Sequence, residues 1–215
     1  MATSTYEYIP IILEQHNPQW AVEFEKVKKG LEQILAGIPI ITIEHVGSTS
    51  IPDLKAKPVL DIDIETNREN LDAVTSALEA AGYTPIRDCR LPGRYSFFQP
   101  GSNAYDVFLP WWKLPPGTPP RGERRRNTYV CITGCLSLRN HRDLKRVLME
   151  DEGLRREYEA EKEWLARHSN GDVKDYCKEK STIVKKILRK AGWAEEDLDV
   201  VSKTCGRTEL GREEQ

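Results

Sequence analysis

Residues 44–65 read EHVGSTSIPDLKAKPVLDIDIE. The end of this run, Leu60 to Glu65, alternates strictly, which predicts a β-strand with Leu60, Ile62 and Ile64 on one face and Asp61, Asp63 and Glu65 on the other. The β-branched run IPIITIEHV before it predicts a partner strand that stops at the turn Gly47-Ser48. A twelve-residue connection, Thr49 to Leu60, carries Lys55 and Lys57. Glycine lets a ligand's phosphates approach the backbone, and Ser48, Thr49 and Ser50 bring hydroxyls and amides to the same point. Asp61 and Asp63 on one strand face are spaced to share Mg²⁺ or Mn²⁺, hard cations that also take substrate phosphate oxygens. Glu65 stands roughly 13 Å from Asp61 along an extended strand and is read as the strand's end. The competing reading is a solvated acidic face. Against it, three stacked acids repel one another unless a cation or basic partner faces them.

On the N-terminal side, Asn17 and Pro18 mark a helix start, and Trp20, Phe24, Val27, Leu31, Ile34 and Leu35 follow at helical spacing, up to Gly37. On the C-terminal side, Asn67 begins a helix that Gly82 stops. Arg94 to Gln99, Ala104 to Pro110 and Asn127 to Thr133 are strand candidates. The Pro-rich stretch WWKLPPGTPPRGERRR before the last of them is a loop. From Ser137 onward three amphipathic helices are expected. The division is thus an α/β core over 1–136, helices packed on it over 137–198, and a polar, mobile tail over 199–215.

The chain has 215 residues, 31% of them charged, with a formal net charge of −2. This balance excludes a generally cationic nucleic-acid binder and leaves only a local patch at Arg124, Arg125 and Arg126. The cysteines Cys89, Cys131, Cys135, Cys177 and Cys205 lack zinc-site spacing and are read as reduced thiols. Neither a signal peptide nor a membrane-length apolar run is evident, so a cytoplasmic protein with no membrane partner is expected.

The stretch HVGSTSIPDLKAKPVLDIDI resembles the pattern HVGSTSVPGLxAKPxIDI of the GrpB family, also called UPF0157, within the nucleotidyltransferase superfamily. Further similarity lies in IILEQHNPQW, in PGR at Pro92 to Arg94, in YVC at Tyr129 to Cys131, and in REYEAEKEWLA and DYCKEKSTIVKKIL, covering about residues 9–191. The resemblance implies an α+β nucleotidyltransferase-like fold: a small mixed sheet flanked by helices, with a C-terminal helical segment. It implies that Gly47 and Ser48 are the superfamily's Gly-Ser motif and that Asp61 and Asp63 are its metal-binding carboxylates. The function it implies is Mg-dependent nucleotidyl transfer from a nucleoside triphosphate to an unidentified acceptor. The alternatives are a nucleotide-binding regulator without turnover, or the fold reused on a larger substrate such as an RNA. Some family members are fused to dephospho-CoA kinase, but this chain has no GxxxxGK[ST] loop and that activity is not expected.

Three departures from the family pattern stand out. The strand NTYVCIT supplies no third carboxylate. It carries Asn127 and Tyr129 where many members have His-x-His. In the following helix, the family's Arg-Asp pair, in a pattern like FRDYLR, aligns with Leu144 to Met149. Asp106, within YDVFL, is the candidate replacement acid. Lys57, Arg94 and Lys180 are the candidate cations for a triphosphate, Lys180 because it interrupts the apolar stripe Val173, Tyr176, Cys177, Val184. His45 is read as a hydrogen-bonded structural histidine. Trp111 and Trp112 fit base stacking or loop closure equally.

Overall fold

The computed structural model describes residues 11–86, 91–101, 123–168 and 173–204. The expected strand at 104–110, and with it Asp106, lies outside the described residues, as do Trp111 and Trp112.

Helix α1 spans Gln19–Ile34 and is capped by Asn17, whose Oδ1 accepts from the Gln19 amide at 2.9 Å. Its buried face is Trp20, Phe24 and Leu31, as the spacing predicts. Strand β1 is only Thr42–Val46, shorter than the β-branched run. Pro39 has no N–H to donate to a ladder, and pairing begins at Ile41, whose amide donates to the Glu65 carbonyl at 2.8 Å. Strand β2 spans Leu60–Thr66 and leads through the 3-10 turn Arg68–Asn70 into α2, Leu71–Ala80. A short strand unmarked in the sequence pattern, β3 (Thr84–Ile86), precedes β4 (Arg94–Phe98) and β5 (Arg126–Ile132).

Among the described residues, these five strands form one mixed sheet in the order β1-β2-β5-β4-β3, in which β2 and β5 pair in parallel and the other neighbours antiparallel. Register assigns the two faces. Asp61, Asp63 and Glu65 lie beside Val46, Glu44 and Thr42 on one flank and beside Asn127, Tyr129 and Cys131 on the other. Arg94 and Ser96 continue this polar face on β4, opposite Cys131 and Tyr129. The reverse face carries Ile43, Leu60, Ile62, Ile64, Phe97 and Val130, which form one core with α1 and α2.

The C-terminal part begins with α3 (Leu136–Glu150) and α4 (Glu152–His168), divided at Asp151, whose Oδ1 caps the Leu154 amide at 2.9 Å. Helix α5 (Val173–Lys190) and α6 (Glu195–Thr204) complete it. Three helices were expected, and the described residues form four. α6 crosses the boundary expected at residue 198 and occupies the start of the expected polar tail, with Leu198 and Val201 buried beside Trp193. The helices share this second core with Ile51 and Leu54 of the Thr49–Leu60 connection and with Leu91. That connection is therefore pinned between the sheet and the helical layer. Among the described residues, no helix is long and apolar enough to cross a membrane.

Candidate functional site

The site starts where β1 ends. Gly47 has φ 71° and ψ −175°, a backbone conformation essentially confined to glycine. A Cβ there would lie 2.3 Å from Asp61 Oδ2 and 2.9 Å from both Asp61 Cβ and Cγ. The turn and the first aspartate are thus in direct apposition, which only a glycine permits.

The three hydroxyls after Gly47 have separate duties. Ser50 Oγ donates to the Gly47 carbonyl at 2.8 Å and closes the 3-10 turn Ser48–Ser50. Thr49 is buried, donates to the Val59 carbonyl at 3.1 Å and meets His45 Nε2 at 3.0 Å. His45 also stacks on Phe24 with centroids 4.9 Å apart, which fits the structural role expected of it. Burial, then the nearby Lys145 and His16 charges, lowers its pKa to about 4. Ser48 alone turns to the helical layer, where its Oγ lies 3.3 Å from Tyr158 Oη.

The acidic face of β2 is not a solvated surface. Asp63 is 1% exposed and Glu65 5%. Each acid has its own partner: the Asn127 amide donates to Asp61 Oδ1 at 2.8 Å, His141 Nδ1 lies 2.8 Å from Asp63 Oδ2, and Arg142 Nη2 reaches Glu65 Oε2 at 2.5 Å. Arg142 also holds Glu44, by Nε at 3.1 Å and Nη2 at 2.5 Å. Glu65 is therefore a buried ion-pair member, not merely the strand's end. Burial alone would lower the His141 pKa, but the Asp63 charge and hydrogen bond, with help from Asp61, raise it above the ordinary value.

His141, Arg142 and Lys145, which donates to the His45 carbonyl at 2.8 Å, all come from α3. They fall at i, i+1 and i+4 on one helix face with Leu138, and this basic interruption of an inward stripe is the signal that sequence reasoning missed. The alignment of the family's Arg-Asp pair with Leu144 to Met149 is corrected here. An Arg-Asp dipeptide stands one turn earlier, at Arg142-Asp143 within HRDLKR, and Asp143 Oδ2 accepts from Trp193 Nε1 at 2.8 Å.

The predicted cations divide. Arg94 lies over the Tyr129 ring at 5.2 Å, and among the described residues its buried Nε has no hydrogen-bond partner. Lys57 and Lys180 flank the Tyr176 ring at 5.3 and 6.0 Å. Lys55 is taken up by Glu163 and by Glu159, at 3.7 Å. In the basic run, Arg124 pairs with Glu23, and Arg126 pairs with Glu123 and meets Tyr83 Oη at 3.2 Å. Those ties work against an open patch for RNA.

Asp61 fits a magnesium ligand: it is partly exposed, and its Oδ2 borders the Gly47 turn, where phosphate would lie. One or two carboxylates suffice for Mg²⁺ when phosphates and water complete the shell. Asp63 is buried, with Oδ2 engaged by His141 and Cys131 Sγ 4.0 Å from Oδ1. Among the described residues, no group of three or more His, Cys, Asp and Glu side chains is arranged to hold a metal ion. At the register position beside Asp61, β5 offers the Asn127 amide in place of an acid.

Comparison with known proteins matches this layout to a family. The sequence profile described as GrpB protein matches residues 10–190. The chain belongs to the GrpB family. A UPF0157 protein of Streptomyces coelicolor is 31% identical over 193 residues, covering 87% of this chain and 88% of that protein. The UPF0157 protein YqkA of Bacillus subtilis is 28% identical over 178 residues, covering 82% of this chain but only 45% of that protein, so the chain spans about half of this relative's length. The crystal structure of conserved protein GrpB from Enterococcus faecalis superposes with a TM-score of 0.64 at 23% identity, over 85% of this chain and all of that one. That likeness extends the GrpB assignment to the fold, a mixed sheet with helices on both faces.

Proposed function

We propose that this GrpB-family chain binds a nucleoside triphosphate with Mg²⁺ at the junction of the Gly47 turn and Asp61 and transfers its nucleotidyl group to an acceptor. The observation that carries this reading is the 2.3 Å separation between the missing Gly47 Cβ and Asp61 Oδ2. It describes a carboxylate set against a backbone turn that only glycine can form, as metal and phosphate sharing one site require. When bound, Mg²⁺ would neutralise phosphate charge and orient the α-phosphorus. Gly47 admits phosphate to the backbone and the Ser48 hydroxyl orients it. Asp61 binds the metal, with Asn127 fixing its carboxylate plane. Arg94, beside Tyr129 and His141, presents a guanidinium to the same polar sheet face. Asp63 is positioned by His141 and serves as second ligand when that hydrogen bond opens.

Isothermal titration calorimetry with Mg-ATP on Asp61→Ala tests the site. Binding should be lost while circular dichroism and thermal melting stay native-like. A variant that binds Mg-ATP as tightly as the wild type sinks the assignment.

A second reading, nucleotide binding without turnover, draws on the Asp63–His141 hydrogen bond and on Asn127 at the β5 position. It predicts saturable Mg-nucleotide binding with no pyrophosphate release from any nucleoside triphosphate, with Mg²⁺ or Mn²⁺, and the transfer reading predicts release.

A further inference from the structure

Three lysines converge beside the Gly-Ser turn from different elements. Lys162, on α4, is 2% exposed, lies over the Tyr158 ring at 4.7 Å, and donates to the Lys55 carbonyl. Tyr158 in turn meets Ser48 Oγ. Lys57, from the connection, and Lys180, from α5, stand at the ring of buried Tyr176. Lys162 escaped the sequence reading although it sits between Tyr158 and Leu165 on the buried stripe of α4. A long, flexible cation in that position is an expensive choice for packing alone.

We propose that Lys57, Lys162 and Lys180, with Ser48 and Tyr158, form the subsite for the terminal phosphates of a polyphosphate. The proposal deepens the nucleotide reading and rests on it for orientation: the metal at Asp61 takes the inner phosphates and the lysines the outer ones. The run Asp61, Gly47, Ser48, Tyr158, Lys162 is continuous in space, each member touching the next. Ammonium groups drawn from three separate elements are brought within electrostatic reach of one another beside the turn.

Burial first, and then the Lys180 and Lys57 charges, lower the Lys162 pKa to about 7, against the opposing pull of Glu159 and Glu163. Both glutamates are also engaged by Lys55, by its amide to Glu159 Oε2 at 2.7 Å and by its ammonium to Glu163. At pH 7.5 Lys162 is therefore mostly neutral, and an entering polyanion draws a proton onto it.

The test is calorimetric titration of the full chain with inorganic triphosphate, ATP and AMP at pH 7.5, in buffers of low and high ionisation enthalpy. Wild type should bind inorganic triphosphate and ATP but AMP at least tenfold more weakly, with net proton uptake. Lys162→Met and Lys180→Met should each weaken inorganic triphosphate about tenfold or more, and Lys162→Met should abolish the proton uptake. Lys180→Met, at a less buried position, keeps the test decisive if Lys162→Met does not fold. No binding of inorganic triphosphate by the wild type, or unchanged affinity in Lys180→Met, overturns the proposal. If Asp61→Ala loses Mg-ATP while the lysine variants keep inorganic triphosphate, the subsite is wrong and the metal reading stands. The converse pattern retains the subsite and removes the metal reading.

Discussion

Replacing Gly47 by alanine tests the junction on which the site depends. Two penalties add. The backbone at φ 71°, ψ −175° lies in a region essentially closed to residues with a Cβ, which costs about 1–3 kcal/mol. The new methyl would also meet Asp61 Oδ2 at 2.3 Å, so the aspartate or the turn must move, at the usual overpacking penalty of about 1–3 kcal/mol. Together these give about 2–6 kcal/mol, a large share of the roughly 5–15 kcal/mol that holds a domain folded. Urea denaturation of Gly47→Ala, Asp61→Gly and the double variant separates the two terms. Asp61→Gly removes all three atoms in the clash but leaves the backbone strain, so the cycle should show a coupling of about 1 kcal/mol or more. A Gly47→Ala protein within about 0.5 kcal/mol of wild type, a difference ordinary for a surface change, would refute the close apposition of turn and carboxylate. An additive cycle would refute the contact with Asp61 specifically.

Arg142→Met leaves Glu65 buried without its cation. A fully buried broken pair is destabilised by about 3–5 kcal/mol, and discounting for the 41% exposure of the Arg142 side chain gives about 2 kcal/mol. Adding Glu65→Gln should recover most of the loss in urea denaturation, and no recovery would show that Arg142 acts otherwise. His45 gives a pH test. Its pKa is about 4 folded and 6.5 unfolded, so the unfolded chain binds more protons between those values, and His45 lowers stability as pH falls from 6.5 towards 4, by up to about 3 kcal/mol. His45→Gln should flatten that part of the stability-pH curve, and an unchanged slope would place the titration elsewhere.

Much of the architecture was legible in the sequence. The alternation from Leu60 to Glu65 named β2 and its faces, and Gly47 before Ser48 named the turn, because a two-residue period and a required positive φ are local properties. The stripes of α1 and the first three C-terminal helices were legible for the same reason. Strand β3 was not, since three residues containing a proline give no periodic signal, and α6 was not, because a ten-residue helix with three acids in its first turn reads as a polar tail.

What the sequence by itself determined is which side chains share a strand face or a helix stripe: the acids of β2 are together whatever packs on them. Only the tertiary structure decided that β5 pairs beside β2 and that α3 lies across that face, so that Asn127, His141 and Arg142 meet Asp61, Asp63 and Glu65 from 66 to 78 residues away along the chain. Long-range pairing gave the two aspartates read as metal ligands and the glutamate read as the strand's end three different settings: one partly exposed aspartate, one histidine-bound aspartate and one buried ion pair. It also gathered Lys57, Lys162 and Lys180 from three elements into one cluster. Periodicity records how a residue faces its own element. Which charges it will meet depends on how the elements dock, and that follows from the shared cores of the whole chain.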